Sequence, residues 1–352
     1  MINIALVGFG LSGRYLQAPF ITANSNYHLK TIVTSNALAK KLYPEAQIVS
    51  SIEDVLADST IDLVSIASPN ATHYEYAKKA LLANKHVLVE KPLASTSQEA
   101  EELILLAKQQ NKVLSVFQNR RFDSDFLTVQ KILKAKLLGD IVSYEVRYDR
   151  YKPVLNPKKW KETPSPGSGI IYDLGPHILD QALVLFGVPQ KVWGQTYTQR
   201  EGSLIDDAFD IYLSYDKMTV KLSSSLLVRE ESPRYRINGT AGSFVKYGID
   251  HQEDHLKADL LPQMAGFGVE PIENQGAIYS NIGDVVVKGK VETEVGNWGL
   301  LFQNLYEAIA ENKTEPLTAK VLICHGADDP FVPKDEITAF QQEMRDAKAD
   351  WQ

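Results

Sequence analysis

Three short motifs stand in a fixed order along the chain, and their order limits what it can fold into. The first is a glycine-rich turn, Gly8-Phe9-Gly10-Leu11-Ser12-Gly13, directly after the apolar run 2–7. The second is Glu90-Lys91-Pro92, and the third is Asp173-Leu174-Gly175-Pro176-His177-Ile178-Leu179-Asp180. A glycine turn between a strand and a helix is typical of open parallel sheets, where the helix N-terminus attracts an anion. We therefore expect the chain to begin with such a sheet.

The first third of the chain alternates short apolar runs with amphipathic segments, which predicts a parallel sheet wrapped by helices. Strands are predicted over 2–7, 28–34, 61–67, 85–89 and 112–117. Helices are predicted over 71–84 and 95–110, the second opened by a capping box of Ser95 with Gln98. We interpret residues 1–121 as an N-terminal Rossmann domain that binds a dinucleotide, which makes the fold class α/β.

The pattern changes after residue 122. A helix is predicted over 123–138, and strands with a period of two follow it. Val142, Tyr144, Val146 and Tyr148 alternate with polar residues, and the segments 209–215 and 218–222 repeat the pattern. Such alternation predicts a large, mostly antiparallel open sheet with one face buried and the other free for a partner. Residues 122–319 are therefore predicted to form a C-terminal α+β domain.

The glycine turn 8–13 is predicted to hold a dinucleotide, because Gly8 permits the bend and Gly10 lets a pyrophosphate approach the backbone. An acidic residue about 20 positions further on would bind the ribose of NAD. The second predicted strand ends instead in Thr34-Ser35-Asn36, with Lys40 and Lys41 following. No carboxylate there repels a 2′-phosphate, so NADP is favoured, with NAD as the alternative. The competing interpretations are a plain turn and lysines that only solvate a helix.

Two further segments follow predicted parallel strands, where open sheets bind their ligands. Ser68-Pro69-Asn70 ends one strand, with His73 one turn into the next helix, and Glu90-Lys91 ends the next strand. We expect both segments to contact the cofactor and Lys91 to point into the crevice. The alternatives are an ordinary turn with a helix cap and a surface ion pair.

Asp173, His177 and Asp180 have helical spacing, which puts them on one face of a helix. A metal site, a structural network and a catalytic pair are all compatible with this spacing. A metal site lacks further nearby ligands, so no metal is predicted, and a network would leave Lys91 unexplained. In the catalytic interpretation, Asp173 holds the His177 imidazole and raises its basicity. A cofactor site, a cation and a base together predict a dehydrogenase.

With these motifs in this order, the chain resembles the Gfo/Idh/MocA oxidoreductase family over about residues 2–319. The runs 114–128, 172–177 and 242–248 are similar to its NADP-dependent scyllo-inositol dehydrogenase branch. The resemblance implies catalysis by Lys91, Asp173 and His177 on a polyol or keto-polyol, by hydride transfer with the nicotinamide. His177 would take the hydroxyl proton, Lys91 would stabilise the oxygen and Asp173 would orient the imidazole. It also implies a homodimer or homotetramer, built through the open sheet of the second domain, which binds the substrate.

Further substrate contacts are expected from groups that combine hydrogen bonding with flat apolar faces, since a polyol presents both kinds of surface. The candidates, besides Asp173 and His177, are Arg150, Tyr151, Trp160 and Tyr172. The alternative is that aromatic side chains on strands belong to the core.

The composition argues against several other partners. A net charge of −7 and a pI near 5.6 give no basic surface for nucleic acid or an anionic membrane. No apolar run is long enough to span a bilayer, and the first residues lack a basic leader, so we expect a cytoplasmic protein. The single cysteine, Cys324, is assigned no role.

Residues 320–352 depart from the family pattern. The run 321–333 resembles a piece of a dienelactone hydrolase, in which Asp329 would be the triad aspartate. The chain contains no Gly-x-Ser-x-Gly or Gly-x-Cys-x-Gly elbow, so we expect no hydrolase activity. An apolar stripe predicts a helix that partly replaces the terminal helix of the family. The stripe consists of Ile337, Phe340, Met344 and Ala347.

Two other function classes stay open. The first is a non-catalytic sensor that binds nucleotide on the same fold, against which the intact Lys91 and His177 argue. The second is an NAD-dependent glycosidase of the wider family, which would retain its cofactor and cleave a glycoside without net redox change.

Overall fold

The computed structural model describes residues 1–311, apart from the side chains of Trp160, Lys161 and Ile282. The predicted tail 320–352, with Asp329 and its apolar stripe, lies outside the described residues. None of the helices within 1–311 is long and apolar enough to cross a membrane. Two sheets, one of six strands and one of eight, organise this part of the chain.

The first sheet is entirely parallel, with strand order β3-β2-β1-β4-β5-β6. Its strands are β1 (Ile2–Val7), β2 (Tyr27–Val33), β3 (Gln47–Val49), β4 (Leu63–Ile66), β5 (His86–Val89) and β6 (Leu114–Val116). The five strands predicted from the sequence are confirmed to within two residues at each end. The short strand β3 was not predicted, because three residues carry too little periodicity to be recognised.

Helices connect these strands: α1 (Ala18–Ala23), α2 (Leu38–Leu42), α3 (Ile52–Ala57), α4 (His73–Leu82) and α5 (Ser97–Gln109). The predicted capping box at the start of α5 is wrong by one residue. Thr96 caps the helix and accepts a hydrogen bond from the Glu99 amide, while the Glu99 carboxylate binds the Thr96 amide. Ser95 donates only its backbone N–H to Glu99, because its own position lies one residue too early to cap the helix.

The second sheet has the order β14-β13-β12-β11-β7-β10-β9-β8, and all its pairings are antiparallel except that of β7 with β10. Its strands are β7 (Ile141–Arg147), β8 (Lys191–Tyr197), β9 (Ala208–Ser214), β10 (Thr219–Ser225), β11 (Tyr235–Gly239), β12 (Gly242–Lys246), β13 (Ala277–Ile282) and β14 (Val285–Lys290). The remaining helices are α6 (Ser124–Lys134), α7 (Ile170–Phe186), α8 (Gln252–Lys257) and α9 (Gly299–Ala310).

One face of the second sheet is covered by α6 and α7. Tyr144 and Val146 of β7 are buried in a core with Phe126 of α6 and Ile178 of α7. The predicted alternation is therefore confirmed, although Val142 at the start of the strand is 45% exposed. On the other face, Trp193 of β8 is 52% exposed and Tyr279 of β13 is 49% exposed.

The last described helix returns to the first sheet. Phe302 of α9 packs against Phe20 and Phe117, and its carbonyl oxygen accepts a hydrogen bond of 2.7 Å from the Tyr27 hydroxyl. Trp298, just before α9, is fully buried in the same core. The first core is thus completed by residues that lie far beyond the predicted boundary at 121/122.

Candidate active site

The glycine turn after β1 is tightly packed on one side and open on the other. Gly8 has a φ of +100°, and a Cβ there would lie 2.6 Å from the carbonyl oxygen of Ala67. A Cβ on Gly13 would lie 2.1 Å from the carbonyl oxygen of Gly8. A Cβ on Gly10 would meet no protein atom within 4 Å. The turn therefore fits a dinucleotide, because its backbone is open to a pyrophosphate at Gly10.

Glu90, at the end of β5, connects this turn to the next strand end. Its carboxylate accepts a 2.5 Å hydrogen bond from the Ser12 hydroxyl and a 3.0 Å bond from the Lys91 amide. The ammonium group of Lys91 binds the Asp173 carboxylate instead. The alternative of an ion pair between Glu90 and Lys91 is therefore wrong, and Glu90 instead holds the glycine turn in place.

His73 holds together the loops that follow β4 and β5. It is only 1% exposed, and its two ring nitrogens lie 2.7 Å from the Pro92 carbonyl oxygen and 3.0 Å from that of Ser68. Both nitrogens are thus occupied, so the predicted contact of His73 with the cofactor is corrected to a loop-positioning role. Asn70 donates a 3.1 Å hydrogen bond to the Gly167 carbonyl and so joins this edge to the loop before α7.

The tip 34–36 after β2 contains no acidic side chain. Thr34 Oγ1 accepts a 3.0 Å hydrogen bond from the Asn36 amide, and the Asn36 side chain caps the start of α2. Ser35 is exposed. Lys40 donates a 2.7 Å hydrogen bond to the Pro44 carbonyl oxygen just after α2. The tip fits a ribose that carries a 2′-phosphate, because it presents hydroxyl groups and no carboxylate.

The helix that carries the predicted catalytic residues, α7, begins after Gly169, which has a φ of +97°. The first turn is capped from a distance, since the Asp206 carboxylate accepts a 2.9 Å hydrogen bond from the Ile171 amide. Gly169 has no side chain to cap the helix itself. This cap fixes the end of α7 that points toward the crevice.

Lys91, just after β5, contacts Asp173 in the first turn of α7. Lys91 Nζ donates a 2.7 Å hydrogen bond to the Asp173 carbonyl oxygen and a 3.1 Å bond to its Oδ1. The Lys91 side chain is 16% exposed, while that of Asp173 is 57% exposed. Desolvation by the surrounding protein raises the pKa of Asp173, but the charge of Lys91 outweighs this effect and holds the pKa below its usual value. The Asp173 carboxylate is therefore ionised near neutral pH.

His177 lies one helical turn beyond Asp173 and is 7% exposed. Burial and the positive charges of Lys91 and Arg120 hold its pKa well below 6.5, so the imidazole is neutral at pH 7. Its Nδ1 is buried and has no hydrogen-bond partner among residues 1–311. The expectation that Asp173 orients the imidazole and raises its basicity is wrong, because the Asp173 carboxylate binds Lys91 instead.

Asp180, the third residue of the predicted trio, has a different partner. Its carboxylate accepts two hydrogen bonds from Arg121, of 2.7 Å to Nε and 2.6 Å to Nη2. Both side chains are largely buried. Asp180 therefore ties α7 to the segment after β6, and the structural-network interpretation applies to this residue.

The structure describes the side chains of three of the four further residues predicted to contact the substrate, Arg150, Tyr151 and Tyr172. Arg150 is half-buried, lies 5.3 Å from the ring centroid of Tyr148, and its charge acts on both Asp173 and His177. Tyr151 is 44% exposed and its hydroxyl accepts a 2.6 Å hydrogen bond from Arg229.

The other two candidates are Tyr172 and Trp160. Tyr172 is 38% exposed and precedes Asp173 on α7. The side chain of Trp160 lies outside the described part of the structure. Arg150 thus acts electrostatically on Asp173 and His177, and Tyr172 adjoins Asp173 on α7, while their contact with a substrate stays a prediction.

Several residues near the crevice were not predicted. Arg120 pairs with Asp123 at 3.1 Å and with Glu253 at 3.3 Å, and its guanidinium lies 5.4 Å from the centroid of Tyr148. Arg234 lies 4.4 Å from the same ring. The available signal was the basic run after β6, at the edge of the sheet where ligands bind.

Two family models match the chain. A model of an oxidoreductase family with an NAD-binding Rossmann fold, GFO_IDH_MocA, matches residues 2–118. The GFO/IDH/MocA C-terminal domain model matches residues 126–245.

Curated proteins and solved structures agree with these matches. The chain is 35% identical over 320 residues to scyllo-inositol 2-dehydrogenase (NADP(+)) IolW of Bacillus subtilis, covering 91% of this chain and 89% of that protein. It is 38% identical over 324 residues to the oxidoreductase YdgJ of Escherichia coli, covering 92% of each. The structure of yvaA from Bacillus subtilis matches with a TM-score of 0.85 at 35% identity, over 88% of this chain and 89% of that one.

Proposed function

Because this chain belongs to the Gfo/Idh/MocA family of oxidoreductases and is an NAD(P)-dependent dehydrogenase, we propose that it acts on a polyol. The reaction is hydride transfer between NADP(H) and an inositol-type secondary alcohol or its ketone. The observation that carries the proposal is the meeting of Lys91 with the first turn of α7, one turn from His177. This arrangement supplies a cation and a neutral base near one another, the cation just after β5 and the base on α7.

Lys91 is the group that stabilises the substrate oxygen. An ammonium has three N–H donors, and Asp173 accepts two hydrogen bonds from Lys91. The third donor is free for the carbinol oxygen, where negative charge develops as the hydride leaves. Asp173 acts as a positioning residue, because its carbonyl and carboxylate together fix the direction of the Lys91 side chain.

His177 is the proton acceptor. Its imidazole is neutral, so one ring nitrogen carries a lone pair at neutral pH. Nδ1 is buried, which leaves Nε2 as the nitrogen that faces a substrate. The bound nicotinamide supplies the hydride acceptor in the oxidation and the hydride donor in the reverse reaction. The positive charges around His177 disfavour its protonated form, so the accepted proton is readily returned to a ketone substrate during reduction.

NADP is the proposed cofactor. The open backbone at Gly10 and the hydroxyl groups of the tip 34–36 support it, as does the absence of a carboxylate at the tip. The relative IolW is a scyllo-inositol 2-dehydrogenase (NADP(+)). The proposed contacts of the cofactor are the glycine turn 8–13, the tip 34–36 and the strand ends at 68–70 and 90–91.

A spectrophotometric panel tests the proposal. Inositols, sugars and keto-inositols are supplied with NADP(H) and with NAD(H), and absorbance at the nicotinamide band is followed. Reduction of NADP by an inositol-type polyol is the expected result. Cofactor binding without turnover of any substrate would favour the sensor, and release of an aglycone from a glycoside without net change in the cofactor would favour the glycosidase.

We also propose a second copy of the chain as partner, in a homodimer or homotetramer built through the open sheet. Trp193 of β8 is 52% exposed, and its ring lies tilted against that of Tyr212 of β9 with 5.4 Å between ring centroids, on a face that no described helix covers. Light scattering on the purified protein gives the subunit number, and Trp193→Lys is expected to shift it toward monomer.

A further inference from the structure

One cation beside the glycine turn has an aromatic neighbour and no carboxylate partner within residues 1–311. Arg14 follows Gly13, and its guanidinium lies 4.5 Å above the ring of Tyr15. The side chain is half-buried and forms no ion pair with any residue in the part of the chain that the structure describes. A guanidinium held against an aromatic ring is restricted in its motion, and its hydrogen-bond donors remain available.

The contacts of Arg14 place it on the side of the turn that faces α2. Burial raises the pKa of the Tyr43 hydroxyl to about 12, and the positive charge of Arg14 acts in the opposite direction. The Tyr43 ring lies edge-on to Phe9 of the glycine turn, with 5.9 Å between ring centroids. Tyr43 directly follows α2, and α2 begins just after the tip 34–36. Arg14 therefore lies close to Tyr43, at the end of the helix that follows the tip 34–36.

The other basic residues of this region are less suited to bind a phosphate there. Lys40 donates to the carbonyl oxygens of Pro44 and Ala46. Lys41 is a flexible exposed side chain, which loses more conformational freedom on binding than the stacked Arg14. Ser35, in contrast, is exposed, and its hydroxyl makes no hydrogen bond within residues 1–311.

We propose that Arg14 and the Ser35 hydroxyl together bind the 2′-phosphate of the cofactor and so determine the preference for NADP. This inference rests on the proposed use of NADP. Arginine binds phosphate oxygens through two parallel N–H donors, and an arginine near the ribose is a known way for this fold to accept a 2′-phosphate. Arg14 lies on the glycine turn itself, so its position is fixed by the same backbone that receives the pyrophosphate.

The test is calorimetric binding to the full chain, with Arg14→Gln, Arg14→Lys and the control Lys112→Gln. The control removes the same charge near the amino end of β6, at the opposite edge of the sheet. The ligands are NADP, NAD, adenosine 2′,5′-bisphosphate and 5′-AMP. Arg14→Gln is expected to weaken the binding of NADP and of the bisphosphate about tenfold or more, which is the scale of one charge-assisted hydrogen bond. The affinities for NAD and 5′-AMP are expected to stay within about twofold of wild type.

The NADP affinity of Arg14→Lys should lie between those of wild type and Arg14→Gln, because lysine keeps the charge and loses the two parallel donors. Equal losses for NADP and NAD would overturn the proposal, since they would assign Arg14 to the shared pyrophosphate. Unchanged NADP affinity would overturn it as well. If circular dichroism melts show that Arg14→Gln does not fold, the NADP and NAD affinities of Arg14→Lys decide the test instead. Wild-type protein that binds NADP tightly but oxidises no polyol would contradict the proposed function alone, because these binding measurements would still decide the role of Arg14.

Discussion

The ammonium nitrogen of Lys91 lies 2.7 Å from the main-chain carbonyl oxygen of Asp173, a residue 82 positions further along the chain. This contact joins the carboxyl end of β5 to the first turn of α7. It sets the cation of the first sheet beside the helix that carries His177. Because one of the two bonds goes to the main chain, the position of Lys91 depends on the path of α7 as well as on the Asp173 side chain.

Lys91→Ala and His177→Ala are each expected to lower turnover by at least about a hundredfold, the usual scale for an acid-base group, while NADP binding survives. Steady-state kinetics measure the loss of turnover, and calorimetry measures NADP binding. Lys79→Ala is the matched control, because Lys79 makes only exposed ion pairs with Glu53 and Glu75 on the outer surface. Near-normal turnover in either catalytic variant would remove that residue from the proposed mechanism.

Asp173→Asn is expected to lower turnover by about tenfold, less than Lys91→Ala, because Lys91 keeps its bond to the main-chain carbonyl and loses only precise placement. The pH profile distinguishes two roles for Asp173. If Asp173 acts through Lys91, the acidic limb of kcat/KM, which reports the protonation of His177, keeps its position in the variant. A shift of that limb to lower pH would instead show that the carboxylate raises the basicity of the imidazole.

Ser35→Asp is expected to move cofactor preference from NADP toward NAD. A carboxylate at the exposed tip repels a 2′-phosphate and can accept hydrogen bonds from a free ribose diol. The ratio of the dissociation constants for NADP and NAD measures the change, and Ser35→Asn provides a control of similar size without charge. An unchanged ratio in Ser35→Asp would show that the tip does not contact the ribose.

His86 is expected to contribute to loss of stability in acid. Burial, helped by the charge of Lys112, lowers its pKa from 6.5 to about 4 in the folded protein. The unfolded chain therefore binds a proton first, so this contribution is present above about pH 6.5 and is lost as the pH falls toward 4. The loss amounts to at most about 3 kcal/mol, since a tenfold change in an equilibrium constant is worth about 1.4 kcal/mol.

The measurement for His86 is urea unfolding between pH 7 and pH 4 for wild type and His86→Asn. The Val113 amide donates a 3.0 Å hydrogen bond to His86 Nδ1, and the asparagine oxygen can replace this acceptor. The variant should lose less stability than wild type across this window. Parallel pH dependences would show that His86 titrates alike in both states.

Much of the fold and part of the site follow from local patterns in the sequence. The glycine turn, the apolar strands and the period-two segments each depend on neighbouring residues. The ends of the five strands predicted for the first sheet could therefore be located within two positions, whereas the predicted segment 218–222 stops three residues before the end of β10. Since ligands bind at the carboxyl ends of parallel strands, the order of motifs was enough to bring Gly10, Ser35 and Lys91 to one edge. The predicted role of Lys91 at the crevice therefore needed no knowledge of its partners.

The partners themselves were decided by the tertiary structure. Helical spacing placed Asp173, His177 and Asp180 on one face of α7, but it could not show that Asp173 binds Lys91 or that Asp180 binds Arg121. It also could not show that burial and nearby cations lower the pKa of His177. These contacts join residues tens of positions apart, so they depend on how loops and sheets bring distant segments together. Sequence thus determined which chemical groups reach the crevice, and tertiary packing determined their partners and charge states.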